Sequence, residues 1–404
     1  MKFAIHTLGC KVNQYDEERM RRELLRAGLE ETPFTDTADL YVINTCTVTS
    51  VADRKSRQMI RRAMRANPKA RVVATGCAVS HKRGLSLDNR VLRIPNREKR
   101  RLLEYLRDDL PAHHHVEVPS TQARTRALLR VQDGCNQFCT FCIVPFVRGR
   151  SVSVPPETLM NEAFQLVAAG YQEIVLTGVQ LGGYGKADGW SLGVLLDRLA
   201  GQFPTVRFRL SSIEPGEFTW DIFDAMAEYA NICPHLHLAL QHASDSVLER
   251  MRRGYTRADY DRLVERFLGD HPDGALTADI LVGFPGETED DFQQLVAYLE
   301  RQPFAQLHVF PYSNRPGTAA VRFDGQVPEP EKRARTDAVL AVAQRKIRAF
   351  RKRFVGRTME VLVEDGQHGM TANYLPVRVA APANVRVQVS LHALDGDDLL
   401  GAVI

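Results

Sequence analysis

The sequence predicts an α/β chain in three parts: an N-terminal parallel α/β domain, a central run of six strand–helix units, and a small C-terminal β domain. Three observations predict it. Residues 1 to about 110 alternate short apolar runs with polar or helix-forming stretches, the βαβ pattern of a parallel sheet. Residues 126 to about 325 repeat a strand–helix unit. From Thr358 the texture changes to short β-rich runs punctuated by Gly, Pro and Asp.

In the first part, Phe3–Leu8 is an apolar run that ends at Gly9-Cys10. Leu40–Ile43 ends at Asn44-Thr45-Cys46, and Val72–Ala74 ends at Thr75-Gly76-Cys77. Helix-forming stretches such as Asp16–Ala27 and Val51–Ala66 lie between them. The carboxyl ends of strands line the crevice of an open parallel sheet. Three cysteines, each just past a strand end, are therefore expected to converge at one edge. Residues 111 to 125 have the Pro, Ser and Thr content of a linker, and His113–His115 read as exposed linker residues before metal ligands.

In the central part, strands are expected at Ala127–Val131, Glu173–Val179, Val206–Ile213, His235–Leu240, Leu276–Gly283 and Gln306–Pro311. Helices are expected at Glu157–Ala169, Ser191–Ala200, Trp220–Ala230, Asp259–Leu268 and Asp290–Arg301. Six units are too few for the eight of a closed TIM barrel, and functional residues belong at the carboxyl ends of such strands. Those ends read Thr177-Gly178-Val179-Gln180, Ser211-Ser212-Ile213-Glu214, Gln241-His242 and Gly283-Phe284-Pro285-Gly286-Glu287. A basic helix from Glu331 to about Arg353 leads to the strings TMEVLVED, NYLPVRVA and VRVQVSLHAL, which read as a small β-barrel or sandwich.

Cys135, Cys139 and Cys142 stand in the string CNQFCTFC at a C-x3-C-x2-C spacing. Packing preference alone does not produce that spacing just after a strand. A closed structural zinc site wants four ligands, and iron–sulfur clusters are normally held by four thiolates. Three cysteines leave one metal position open for a substrate or cofactor. Cys233, between Ile232 and Pro234, reads as a small buried apolar residue.

The 404 residues imply two or three domains, and 44% hydrophobic with 25% charged content is globular. No apolar run reaches the length of a membrane span. The N-terminus lacks the apolar core of a signal peptide. Seven cysteines, six of them in two triads, are not a secreted disulfide framework, so reduced thiols and a cytoplasmic location are expected. The net charge of +4 is unevenly spread. Arg54–Arg71 carries eight basic residues and no acid, and Lys332–Arg357 carries ten basic residues against Asp337 alone. Such blocks fit a nucleic-acid backbone, with a solvated helix face as the alternative.

The octapeptide resembles the signature of the radical S-adenosylmethionine (SAM) superfamily. That resemblance implies a [4Fe–4S] cluster on Cys135, Cys139 and Cys142, SAM on the fourth iron, Phe141 near the adenine, and a partial (β/α)6 barrel. Across its whole length the chain resembles the methylthiotransferase family. This implies a second [4Fe–4S] cluster on Cys10, Cys46 and Cys77, and a tail that is a TRAM-like RNA-binding domain. The implied boundaries are 1–110, 126–345 and 354–404. The strings TLGCKVNQYD, INTCTV, RLSSIEP, VFPYSNRPGTAA and TANYLPV resemble the branch acting on threonylcarbamoyladenosine in tRNA. The branches acting on isopentenyladenosine or on a ribosomal protein usually read GCQMN or GCPKN where this chain has Gly9-Cys10-Lys11-Val12-Asn13.

By the same resemblance, Thr177, Gly178, Gln180, Ser212, Glu214 and Gln241 are the expected SAM contacts. Gly283, Gly286 and Glu287 resemble a motif near the adenine. Arg148 and Arg150 are candidates for phosphate or the SAM carboxylate; these two and Arg315 are candidates for the substrate's threonyl carboxylate. The implied partners are a tRNA anticodon stem–loop and a reducing electron-transfer protein of flavodoxin or ferredoxin type, with no membrane. The implied reaction places a methylthio group on carbon 2 of the adenine, using two SAM and sulfur from the second cluster. A zinc-stabilised RNA-binding protein without redox chemistry is the alternative from another class.

Overall fold

Parallel strands buried on both faces read as continuous apolar runs, and Leu40–Thr45 is one, with all six residues buried. The structure is a computed structural model describing residues 1–81, 85–110 and 124–404; His113–His115 lie outside the described residues. The chain divides into two units. The first comprises 1–123, 133–151 and 313–321, and the second 124–132, 152–312 and 322–404.

In the first unit the elements run β1 (Lys2–Thr7), α1 (Lys11–Arg26), β2 (Glu30–Glu31), β3 (Leu40–Thr45), α2 (Ser50–Ala66), β4 (Arg71–Gly76), α3 (Cys77–Ser80), β5 (Val91–Pro95) and α4 (Leu102–Tyr105). The strands form one parallel sheet in the order β2-β1-β3-β4-β5. Alternation along β3 divides the core: Leu40 and Val42 pack with Phe3, Met20 and Leu24, whereas Tyr41 and Ile43 pack with Ile60, Ala63 and Ala74. The Thr49 hydroxyl accepts from the Ala52 N–H and starts α2. A short helix, α5 (Val144–Arg148), belongs to this unit.

The second unit begins with β6 (Ala127–Arg130); β7 (Gln132–Asp133) and β8 (Val152–Ser153) are two-residue strands. Then come α6 (Pro156–Ala168), β9 (Glu173–Thr177), α7 (Leu192–Gln202), β10 (Arg207–Leu210), α8 (Asp221–Glu228), β11 (His235–His237), α9 (Asp245–Met251), α10 (Arg257–Asp270), β12 (Ala275–Val282), α11 (Glu289–Arg301) and β13 (Gln306–Pro311). Two parallel sheets, β10-β9-β6 and β11-β12-β13, are joined by the parallel bridges Phe208↔Ile232 and Ile213↔Leu238. Six parallel strands with helices between them make the expected partial barrel. Capping boxes of Thr256 with Asp259 and Thr288 with Asp291 start α10 and α11. The sequence reading passed over α9, a seven-residue helix following a strand end.

The 24-residue helix α12 (Glu329–Lys352) leads into β14 (Thr358–Val363), β15 (His368–Thr371), β16 (Pro376–Arg378), β17 (Arg386–Asp395) and β18 (Asp398–Val403). These close as β14-β15-β16-β18-β17, so the tail is a barrel and not a sandwich. Its core includes Ala275 and Ala305, at the N-terminal ends of β12 and β13. There Glu173 accepts from Arg207 at 2.7 Å and from Arg209 at 2.7 Å. The same guanidiniums donate to the carbonyls of Met370, Thr371 and Ala372. The buried carboxylate is thus paired while the two arginines seat the small barrel on the strand-start end, opposite the strand ends expected to bind ligands.

Candidate metal centres and active site

Cys10, Cys46 and Cys77 follow β1, β3 and β4, three neighbouring strands, and the structure brings them together. A Cβ on Gly9 would lie 2.9 Å from both Cβ and Sγ of Cys46, and Gly9 has φ +102°, so glycine is required there. A Cβ on Gly76 would lie 2.5 Å from the Thr45 carbonyl. Asn13 ties the loops: its Nδ2 donates to Leu8 O at 2.7 Å and Thr45 O at 3.1 Å, and Asn44 donates to its carbonyl at 2.9 Å. The Ser56 hydroxyl donates to the Cys46 carbonyl at 3.1 Å. Burial pushes the Cys46 thiol up to about 11, with Cys77 and Cys10 adding to the rise. Burial raises Cys77 as well, against the pull of Arg148 and Lys99.

Those two cations were not anticipated as neighbours of the triad. Lys99 Nζ lies 2.8 Å from Asp16 Oδ2, with side chains 4% and 1% exposed. Arg148 donates to Asn13 Oδ1 at 2.5 Å and Asp133 Oδ1 at 2.7 Å, and lies 3.7 Å from Asp16. Three thiols beside two buried cations suit a centre made of anionic sulfur, because metal ligation takes the thiolate form.

The second triad lies in the same unit. Cys139 is buried, and Cys135, Cys142 and Phe141 are half-buried. The Cys135 N–H donates to Gly149 O at 3.0 Å, the Gln137 N–H points to Cys135 Sγ at 3.4 Å, and the Cys142 N–H donates to Cys139 O at 3.0 Å. Phe138 takes φ +50°, the left-handed turn that folds the loop back on itself. Its ring meets Phe146 edge-on at 5.9 Å and carries the exposed Arg150 at 4.6 Å. Cys77 packs with Ile143 and Val147, just past this triad.

Arg148 is thus a buried member of the network joining α1 to the cysteine loop, and the structure does not offer it to a phosphate. Arg315 is also engaged: it donates to Thr47 Oγ1 and Asp53 Oδ2, both at 2.6 Å.

In the second unit, Thr177 ends β9. The N–H groups of Val179 and Gln180 converge on Gln132 Oε1 at 2.9 and 2.8 Å, and a Cβ on Gly178 would lie 3.0 Å from the same oxygen. Gln132, absent from the sequence expectations, therefore shapes this strand-end loop. Ser212 is exposed, whereas Ser211 is buried. Glu214 accepts from Arg253, yet burial raises its carboxyl to about 7. Gln241 has φ +64° and is pinned by Asp279 O and the Leu281 N–H, each at 2.8 Å. Glu287 accepts from the Phe284 N–H at 3.1 Å and from Arg335 at 2.7 Å, so it braces α12 while Thr288 caps α11. Cys233 is buried, 4.0 Å from Glu173, as a small core residue.

Residues 2–91 match the uncharacterized protein family UPF0004, and residues 129–299 match the radical SAM superfamily. The threonylcarbamoyladenosine tRNA methylthiotransferase MtaB of Bacillus subtilis is 37% identical over 402 residues, covering 93% of this chain and 89% of its own. The tRNA-2-methylthio-N6-dimethylallyladenosine synthase of Thermobifida fusca is 34% identical, covering 90% of this chain and 78% of its own. The radical SAM methyltransferase TsrM from Kitasatospora setae, solved with cobalamin and a [4Fe–4S] cluster bound, superimposes with a TM-score of 0.56 at 14% identity, over 79% of this chain and 76% of that one. The last likeness is one of fold.

Proposed function

This chain belongs to the radical SAM methylthiotransferases, and we propose that it converts N6-threonylcarbamoyladenosine at position 37 of tRNA into its 2-methylthio derivative. Membership brings a [4Fe–4S] cluster and SAM, and removes the alternative of a zinc-stabilised RNA-binding protein. In this reading Cys135, Cys139 and Cys142 hold that cluster, and Cys10, Cys46 and Cys77 hold a second. When these groups are bound they supply an electron, a carbon-centred radical from one SAM, and a sulfur methylated by another.

The chain's own residues bind and orient. Thr177, Gly178, Gln180, Ser212, Glu214 and Gln241, at three neighbouring strand ends, hold the polar groups of SAM, and Phe141 packs on its adenine. Lys99 and Arg148 offset the charge of the Cys10, Cys46 and Cys77 thiolates. Residues 354–404 act as a TRAM-like RNA module, and a flavodoxin- or ferredoxin-type protein delivers the electron. Among the described residues no helix is long and apolar enough to cross a membrane; the reading places the enzyme in the cytoplasm, where tRNA is modified.

The observation that carries the proposal is the convergence of Cys10, Cys46 and Cys77 in the unit that also holds the Cys135 loop. An enzyme that only cleaved SAM needs no second set of thiols. The test pairs iron and sulfide counting on anaerobically purified protein with mass spectrometry of tRNA nucleosides from a deletion strain. About eight irons per chain and loss of the 2-methylthio threonylcarbamoyl nucleoside are expected. Loss of the isopentenyl derivative instead would move the substrate to the branch of the Thermobifida fusca relative.

A further inference from the structure

We infer that α2 carries a phosphate-reading stripe: Arg54, Arg57, Arg61 and Arg65 grip the backbone of the anticodon stem, on the strand that leaves position 37 in the 3′ direction. The inference rests on tRNA as the substrate proposed above, and not on which group its adenosine carries at N6.

The stripe follows from the helical period. Ser56, Ile60 and Ala63 are the buried residues of α2. At 3.6 residues per turn, Arg54, Arg61 and Arg65 fall on the opposite side, with Arg57 at its edge. The first three are exposed and Arg57 is half-buried. Like charges four residues apart on a helix repel, and Arg57, Arg61 and Arg65 repeat that spacing. Other helices of the chain place opposite charges there: Arg19 with Glu23 on α1, Arg266 with Asp270 on α10 and Glu331 with Arg335 on α12. Among the described residues α2 forms no such pair. Its acid, Asp53, accepts instead from Thr47 and Arg315, both at 2.6 Å. A face kept cationic against its own repulsion is relieved by a polyanion.

The place of the stripe selects the part of the polyanion. The Ser56 hydroxyl donates to the Cys46 carbonyl at 3.1 Å, so the stripe starts beside the first cysteine triad, in the same unit. From Arg57 to Arg65 the helix advances about 12 Å away from that contact, in steps of about 6 Å between these arginines. Such a step is close to the separation of neighbouring phosphates along one RNA strand. Between α2 and the loop carrying Ser86, Leu87 and Asp88 runs a groove lined by Arg57, Arg61 and Arg65. The carboxylate in it, Asp88, is already held by Arg90 at 3.0 Å. In the proposed reaction adenosine 37 comes to the Cys10, Cys46 and Cys77 centre for its sulfur. The 3′ strand of the anticodon stem starts just beyond that nucleoside, and the arginines stand ready for its successive phosphates.

The test measures filter binding of reconstituted holoenzyme to an anticodon stem–loop as salt is raised. It uses native RNA and two analogues, with neutral methylphosphonates replacing the stem phosphates of the 3′ or of the 5′ strand. Arg57→Ala, Arg61→Ala and Arg65→Ala combined should lower the slope of log affinity against log salt by roughly one unit per arginine. Lysine at the same three positions should keep the wild-type slope. Neutralising the 3′ strand should flatten the wild-type slope by a similar amount and leave the alanine variant little to lose. On the 5′-neutral RNA the variant should lose as much as on native RNA. Iron content and melting temperature matching wild type show that each variant is folded. The inference falls if the alanine variant keeps the wild-type slope, or if it loses as much on the 3′-neutral RNA as on native RNA. It also falls if the variant binds RNA as wild type does but needs more flavodoxin for half-maximal SAM cleavage, since an acidic protein then occupies the stripe. Wild-type holoenzyme that binds no stem–loop overturns the tRNA substrate itself, and this inference with it.

Discussion

Asp16 and Lys99 form a buried ion pair whose partners each depend on the other. Burial lowers the Lys99 ammonium and Asp16 opposes that drop. Removing Lys99 takes away the closest cation of buried Asp16 and leaves Arg148 at 3.7 Å, so Lys99→Met is expected to cost about 3 kcal/mol of stability in urea unfolding. Adding Asp16→Leu should restore much of that loss, and a double-mutant cycle checks it. Arg148→Lys should fail to serve Asn13 and Asp133 together, because a single ammonium replaces a planar fork of donors. Its expected signature is a lower iron content with secondary structure intact. Among the thiols, Cys46→Ala should halve the iron and stop methylthiolation while SAM cleavage continues uncoupled. Cys139→Ala should stop cleavage itself. Wild-type turnover by Cys46→Ala would sink the role given to the first triad.

At the scale of elements the two basic blocks separate. On α12, Arg335 meets Glu287, Arg345 meets Glu300 and Arg351 meets Asp397, and just past its end Arg353 lies 3.2 Å from Asp273. Much of that charge is already paired with acids of the same chain. On α2, Arg54, Arg61, Arg62 and Arg65 are exposed and Arg57 half-buried. None of the five has an ion-pair partner among the described residues. Phosphate contacts release counterions, so Arg57, Arg61 and Arg65→Ala together should flatten the salt dependence of tRNA binding by roughly one unit per lost contact. Filter binding between low and moderate salt measures it. Arg345, Lys346 and Arg351→Ala should lower stability and leave the slope nearly unchanged. The reverse result would return the RNA contact to α12.

Across the whole molecule, one buried carboxylate, Glu173, organises a central part of the tail barrel's seating. Burial pushes Glu173 up, but Arg209 and Arg207 overcome it and hold the group at about 2, against 4.5 when free. A depressed folded value means that the stabilisation is complete above about pH 4.5 and is lost as pH falls toward 2. Glu173→Gln takes the shared carboxylate from buried Arg209 and leaves Arg207 with Glu360 at 3.6 Å, and should cost about 3 kcal/mol. Hydrogen exchange at residues 368–378 should accelerate in this variant at neutral pH, and in wild type only on acidification. Equal protection in both would detach the tail's seating from this ion cluster.

The order of elements was legible in the sequence because strand–helix alternation is a local pattern. The cysteine loop was legible because its three ligands are neighbours in the chain. Cys10, Cys46 and Cys77 were also legible, although 36 and 31 residues apart, because parallel strands present their carboxyl ends on one side. What the tertiary structure alone decided is charge pairing. Nothing in the spacing of Lys99, Arg148 and Asp16 joins them; α1, α5 and a short 3-10 helix over Asn96–Arg101 do. Nor does a run of basic residues reveal which charges are neutralised, since partners such as Glu300 and Asp273 come from other elements. Local pattern follows from the backbone's own periodicity. Electrostatic partnership depends on through-space distance, which the chain sets only when it is folded.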